Sequence, residues 1–137
     1  MIPWPHGDGA PAGHPDEEAI ERYLAAVVEG DRVAAFGVVD ELLRRGTDPA
    51  DIVCDVLAPA QSRVGRHWEE GRLSVAVEHR ATAMAASLLE SLNASASPLA
   101  STGEQPVPVI CCEGEWHTLP AQMAAAVLRL RGVPAEV

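Results

Sequence analysis

Aromatic residues are scarce in this sequence of 137 residues, since they make up 4% of the chain while the hydrophobic fraction as a whole is 47%. A core built around large aromatic side chains is therefore excluded. Alanine and valine dominate the apolar positions, so the core must be made of small and medium side chains. A compact helical bundle can use such side chains well, because they let helices approach one another closely.

Basic residues are also few: 10 Lys and Arg stand against 20 Asp and Glu, which gives a formal net charge of −10. A field of that sign repels phosphate backbones, whereas proteins that bind nucleic acids normally present a basic face. The composition therefore argues against direct nucleic-acid binding. The acidity itself is interpreted as the charge that keeps the protein dispersed in solution.

Long apolar runs and disulfide patterns are missing as well. No run approaches the roughly 20 apolar residues that a bilayer-spanning helix needs, and the first fourteen residues lack the basic flank and apolar core of a signal peptide. Three cysteines, Cys54, Cys111 and Cys112, form no C-x-x-C pattern and are expected to be buried, reduced thiols. These absences predict a cytoplasmic protein without a membrane partner.

Four segments with the i, i+3, i+4 rhythm of amphipathic helices follow a proline- and glycine-rich tail at 1–14, which is predicted to be flexible. Asp31 can cap the second of these helices and Asp48 the third. Pro59 lies inside the third helix, where it should kink the helix or remove one hydrogen bond. Short links favour an antiparallel four-helix bundle over 15–92, with helices expected at 16–29, 32–45, 49–68 and 75–92.

The pattern changes after a linker of small, polar and proline residues at 93–106. An apolar run of strand type (VPVICC), a loop, a helical segment and a second strand start (VPAEV) then form one βαβ unit at 107–137. The predicted fold class is therefore mainly α: a four-helix bundle followed by the truncated βαβ start of a Rossmann-like domain. Two strands cannot bury both faces of a parallel sheet, so this unit should be mobile, packed on the bundle or completed by another chain.

One constellation of candidate site residues lies around the fourth helix. The spacing places Val75, Glu78, His79 and Thr82 on one helical face. Trp68, at the end of the third helix, can lie beside that face across the turn at Gly71. A flat indole beside a carboxylate and an imidazole suits a large planar ligand with polar substituents, although a core tryptophan with a solvated Glu-His pair is the plainer interpretation of these residues alone.

A second constellation, Glu115-Trp116-His117, follows the first strand. Open α/β sheets bind ligands outside the carboxyl ends of their strands, so His117 lies where a ligand is expected. Glu115 could hydrogen-bond one nitrogen of that imidazole, which would fix its tautomer and raise its basicity as a metal ligand. Taken alone, one loop histidine is more often a surface residue than a ligand.

The stretch from Val64 to Leu92 resembles the helical cap of cobalamin-binding proteins. It is especially similar to the cap of the MerR-type light-responsive repressors that bind adenosylcobalamin, whose signature of Trp, nine residues and Glu-His reads here Trp68-x9-Glu78-His79. Methionine synthase and corrinoid methyl carriers have a related cap and the loop pattern Asp-x-His-x-x-Gly. Here the loop reads Glu115-x-His117-x-x-Pro120, nearer the Glu-x-His variant of the repressors. The resemblance covers roughly residues 16–137, with both motifs in the family's order.

The resemblance implies a role for each matching residue. His117 would be the lower axial ligand of cobalt in place of the cofactor's own dimethylbenzimidazole, with Glu115 as its hydrogen-bonding partner. Trp68 would cover the upper face of the corrin, and the pocket around the upper ligand would be lined by Val75, Glu78 and His79. The implied cofactor is cobalamin, with adenosylcobalamin favoured over methylcobalamin.

The sequence departs from the repressors in three respects. No helix-turn-helix precedes the cap. Glu69 stands where some relatives place a histidine that becomes the upper ligand once light has removed the adenosyl group. The chain stops at Val137, before the loops that receive the displaced nucleotide tail.

These features predict a non-catalytic cobalamin sensor or regulatory module that works through a protein partner or by homo-oligomerisation. One alternative is a corrinoid methyl carrier of a methyltransferase system, which needs an upper face that opens to a methyl donor. A second alternative is a protein-interaction bundle that has lost cofactor binding. The tryptophan signature and the Glu-x-His loop favour the sensor over the methyl carrier.

Overall fold

The computed structural model describes residues 17–95, 105–115 and 117–137. The tail predicted at 1–14 lies outside these ranges, as do Trp116 and most of the linker predicted at 93–106. Within the described ranges, none of the helices combines the length and the apolar character that crossing a membrane demands.

A four-helix bundle occupies the first described range, as the periodicity predicted. Helix α1 spans Glu17–Glu29 and α2 spans Arg32–Arg44. The third helix of the bundle is continuous from α3 through a π turn into α4, over Pro49–Ile52, Val53–Leu57 and Ala58–Glu69. Helix α5 spans Val75–Ser95 and so continues three residues beyond its expected end at Leu92.

The helix boundaries follow from local chemistry. The side chain of Asp31 accepts a hydrogen bond from the Ala34 N–H at 2.9 Å, and that of Asp48 accepts one from the Ala50 N–H at 2.8 Å. Both bonds satisfy donors that the first turn of a helix leaves without a partner. The two predicted caps are therefore confirmed.

The π turn directly precedes the proline of the third helix. Pro59 has no N–H to donate, and its ring would meet the carbonyl four residues back in a regular α-helix. The Ala58 N–H instead donates to the Val53 carbonyl, five residues back. The helix thus widens by one residue ahead of Pro59, which is how it continues through a position where the sequence predicted a kink or a lost hydrogen bond.

The core of the bundle consists of aliphatic side chains and Met84, and among the described buried residues Tyr23 is the one aromatic side chain. Burial raises the pKa of the Tyr23 phenol, because the charged form is the one that low polarity penalises. Within the described part of the chain, the Tyr23 hydroxyl has no hydrogen-bond partner. An unpaired buried hydroxyl costs stability, since folding removes it from water without compensation.

Removing that hydroxyl is expected to stabilise the protein. Tyr23→Phe should raise the free energy of unfolding by about 1 kcal/mol, because the ring keeps its packing and the unpaired polar atom disappears. Urea denaturation followed by circular dichroism measures the change. Tyr23→Ala is the matched control and should lose about 3–5 kcal/mol through the cavity it leaves. A loss of stability in Tyr23→Phe would mean instead that the hydroxyl is hydrogen-bonded in solution.

The C-terminal range forms the predicted βαβ unit. Strands β1 (Val107–Pro108) and β2 (Ala135–Glu136) pair in parallel, and helix α6 (Leu119–Leu130) connects them. The ladder is shorter than the apolar run at 107–112, because pairing extends only as far as the two residues of β2. The observed architecture is therefore the predicted one, a helical bundle with the start of a Rossmann-like domain.

Helix α6 is packed on the bundle, one of the three outcomes expected for this segment. Leu119, Met123 and Ala126 are buried in the same apolar cluster as the bundle core. At the other end of α6, Arg131 contacts Asp51 at 2.5 Å and Asp48 at 3.5 Å. The start of the Rossmann-like domain is thus held against the bundle through apolar contact along α6 and ion pairs at its end.

The expectation of buried thiols is wrong. Cys54 and Cys112 are exposed and Cys111 is partly exposed, and all three are free. Cys54 lies on the outer side of the π turn, and Cys112 lies in the loop that follows β1. Partial burial, together with the nearby carboxylates of Asp55 and Asp51, raises the pKa of the Cys54 thiol.

Candidate functional site

A pocket of about 640 Å³ opens between α4, α5 and the start of α6, and it is called here the bundle pocket. Its polar residues include Gln61, Glu78, His79, Thr82 and His117, and its apolar residues include Val64, Ala83, Ala86, Leu119 and Pro120. The bundle pocket is therefore lined on one side by α4 and α5 of the bundle and on the other side by the βαβ unit.

The wall from α5 carries a hydrogen-bonded carboxylate. The Thr82 hydroxyl donates to Oε1 of Glu78 at 3.0 Å, and Nδ1 of His79 lies 2.5 Å from Oε2 of the same side chain. The Glu78 side chain is mostly buried, with 20% of it exposed, whereas the His79 side chain is 76% exposed. The contact with Oε2 engages Nδ1 of His79, so Nε2 is the ring nitrogen left for another partner.

The opposite wall carries a second histidine held by a carboxylate. Oε1 of Glu115 accepts hydrogen bonds from both the backbone N–H and the ring Nδ1 of His117, each at 2.7 Å. The bond to Nδ1 fixes the tautomer, and Nε2 of the neutral ring therefore keeps its lone pair. The arrangement is the one by which proteins orient a metal-binding imidazole and raise its basicity.

The two helices that form the inner side of the bundle pocket are linked by a side chain. Nε2 of Gln61, on α4, donates to the Ala81 carbonyl of α5 at 2.9 Å. At the rim, Nε2 of Gln122 lies 3.3 Å from Oγ1 of Thr118. Neither glutamine was predicted as a site residue from the sequence. For Gln61 a signal was available, since it is a polar residue between the apolar positions Ala60 and Val64 of an amphipathic helix.

The structure brings three of the six predicted site residues together. Glu78, His79 and His117 line the bundle pocket, and Glu115 contacts His117 directly. Trp68 and Val75 lie outside its lining, with 43% and 52% of their surface exposed. Of the four residues that helical spacing placed on one face, Glu78, His79 and Thr82 line the bundle pocket, whereas Val75 lies in contact with solvent, as does Trp68.

The bundle matches a known protein family. A family model described as the B12 binding domain matches residues 19–93. That range begins in α1 and ends in α5, so it includes the helical wall with Glu78 and His79 and excludes the loop with His117.

A curated relative and a solved structure are similar over most of the chain. The HTH-type transcriptional repressor CarH of Myxococcus xanthus is 37% identical over 114 residues, which are 82% of this chain and 36% of the repressor. A chain of the methanol:cobalamin methyltransferase complex MtaBC from Methanosarcina barkeri matches 90% of this chain with a TM-score of 0.55 and 21% identity. This chain covers 47% of that one. It therefore spans less than half the length of either protein, and the likeness to the second concerns the fold alone.

Proposed function

This chain belongs to the B12 binding domain family, and we propose that it is a non-catalytic sensor or regulatory module that binds cobalamin, with adenosylcobalamin favoured over methylcobalamin. His117 would ligate the cobalt, and Glu115 would orient its ring. Glu78 and His79 face the upper ligand, together with Val75 and Trp68.

The observation that carries this proposal is the Glu115–His117 pair at the bundle pocket. Imidazole is a good ligand for cobalt, and the bond from Nδ1 to Glu115 leaves Nε2 of His117 with its lone pair. That nitrogen would be the protein's donor to the cobalt of a bound cobalamin. The apolar and polar lining of the bundle pocket suits a flat macrocycle with amide side chains. The residues present therefore fit the cofactor.

The upper side supports the preference for the adenosyl form. Glu78 offers carboxylate lone pairs beyond the two hydrogen bonds it already accepts, and ribose hydroxyls are donors. Val75 is small, which leaves room for a bulky upper ligand. When bound, cobalamin would supply a cobalt–carbon bond at this face.

The regulatory role follows from where the upper face lies. Trp68 is 43% exposed at the end of α4, so a change of upper ligand beside it alters a surface that a protein partner or a second copy of the chain can contact. We place this signalling in the cytoplasm and assign it no direct contact with nucleic acid.

Absorbance titration tests the proposal. Adenosylcobalamin, added in the dark, should bind saturably with the spectrum of a base-off, histidine-ligated cofactor, and methylcobalamin should bind more weakly. A second measurement after green illumination determines whether the adenosyl complex responds to light. The absence of any spectral change with either cofactor would contradict the proposal and favour an interaction bundle that has lost cofactor binding.

A corrinoid methyl carrier is the second candidate. The exposure of Trp68 and Val75 favours it, because a methyl carrier needs an upper face that opens to a methyl donor. In that case methylcobalamin should bind at least as tightly as adenosylcobalamin in the same titration.

A further inference from the structure

Thr82 lies one helical turn after Glu78 on α5, and both side chains line the bundle pocket. The i, i+4 spacing brings them together on one helical face. The hydroxyl of Thr82 could have bonded to the backbone carbonyl of the preceding turn, as threonine in a helix often does. In this structure it donates to the Glu78 carboxylate at 3.0 Å.

Of the two side chains that hydrogen-bond to Glu78, Thr82 restricts the orientation of the carboxylate more strongly. His79 is 76% exposed, so water competes with the hydrogen bond that it makes to Glu78. Thr82 is partly buried, and its χ1 angle is restricted because its side chain is branched at Cβ. The orientation of the carboxylate therefore depends more on the hydroxyl of Thr82 than on the imidazole of His79.

A fixed carboxylate is useful for binding. A glutamate on a helix surface loses rotamer freedom when a ligand immobilises it, and that loss weakens binding unless the side chain is already held. The bonds to Thr82 and His79 occupy about two of the roughly four acceptor positions of the carboxylate. The remaining positions stay available to hydroxyl groups of a ligand.

We propose that Thr82 is a positioning residue that holds Glu78 ready for the hydroxyl groups of the organic upper ligand, and so contributes to selection of adenosylcobalamin over methylcobalamin. This inference rests on the proposed function. It adds a residue that acts through Glu78.

The test is a set of dark titrations with adenosylcobalamin and methylcobalamin. Thr82→Val keeps the branched shape and removes the hydroxyl, so the affinity for adenosylcobalamin should fall roughly 2- to 12-fold, the effect of one net hydrogen bond. Thr82→Ser restores the hydroxyl and should bind close to wild type. Ser87→Ala, which removes a hydroxyl that bonds to the Ala83 carbonyl elsewhere on α5, is the matched control and should change neither affinity.

A double mutant separates positioning from a general structural effect. Once Glu78 is replaced by alanine, Thr82→Val should cause no further loss of adenosylcobalamin affinity, because nothing remains for the hydroxyl to hold. Additive losses, or an unchanged affinity in Thr82→Val alone, would overturn the inference while leaving cobalamin binding intact. If wild type binds neither cofactor, the proposed function fails and this inference fails with it.

Discussion

Replacing His117 with alanine is expected to abolish the spectrum of base-off, histidine-ligated cobalamin. The bond from Nδ1 to Glu115 commits the ring to the tautomer in which Nε2 carries the lone pair, and alanine offers cobalt no donor in its place. The His117 side chain is 76% exposed, so its removal creates no cavity in the core. Circular dichroism should therefore be unchanged, while the absorbance titration changes completely.

Replacing Glu115 is expected to have a smaller effect than replacing His117. Glu115→Ala frees the ring of His117 and removes the acceptor of its backbone N–H, so binding should weaken about 10- to 100-fold with the histidine-ligated spectrum retained, as is usual for a partner of a metal ligand. Glu115→Gln keeps an acceptor oxygen and should lose less.

An unchanged spectrum in His117→Ala would show that another group ligates the cobalt, and the assignment would be wrong.

Much of the bundle could be predicted from the sequence because local signals and the global fold agree there. The side chains of Asp31 and Asp48 cap helices in the structure as their positions indicated. Fully buried Ile20, Tyr23 and Val27 recur at the spacing that marks one face of α1. Each of these predictions depends on residues within one or two helical turns, which is the range over which sequence patterns are informative.

The position of α6 on the bundle depends on contacts between residues that are far apart in the sequence, so it could not be predicted in the same way. Arg131 contacts Asp48 and Asp51, which lie 83 and 80 positions earlier in the chain. No local pattern pairs charges at such separations. Packing on the bundle was only one of the three outcomes that the sequence allowed for this unit.

The candidate site, too, could be predicted only in part from the sequence. Glu78 and His79 share a wall with Thr82 because helical spacing dictates it, and this much was predictable. That His117 lines the same pocket is a tertiary fact, since α6 must pack against α5 before the two histidines face one cavity. The exposure of Trp68 and Val75 is also tertiary, because neighbouring elements decide which part of a helical face is covered.

Replacing Glu78 with alanine is expected to separate the two cofactors. The carboxylate accepts bonds from Thr82 and His79 and keeps acceptor positions for ligand hydroxyls. Without it, hydroxyl groups of the adenosyl ligand enter the pocket unpaired, at a cost of about 1–3 kcal/mol. The affinity for adenosylcobalamin should therefore fall roughly 5- to 150-fold. Methylcobalamin has no such hydroxyl groups on its upper ligand, so its affinity should change little.

Paired titrations in the dark, on wild type and Glu78→Ala, measure this separation. Glu90→Ala is the matched control, because it removes an exposed carboxylate from the same helix, outside the lining of the bundle pocket. It should leave both affinities unchanged and so exclude an effect of charge alone. Equal losses for the two cofactors in Glu78→Ala would mean that the carboxylate acts on the corrin or on the fold of α5. That result would count against an adenosyl pocket. It would favour the methyl carrier, because the upper face of a carrier needs to open to a methyl donor but need not distinguish the two upper ligands.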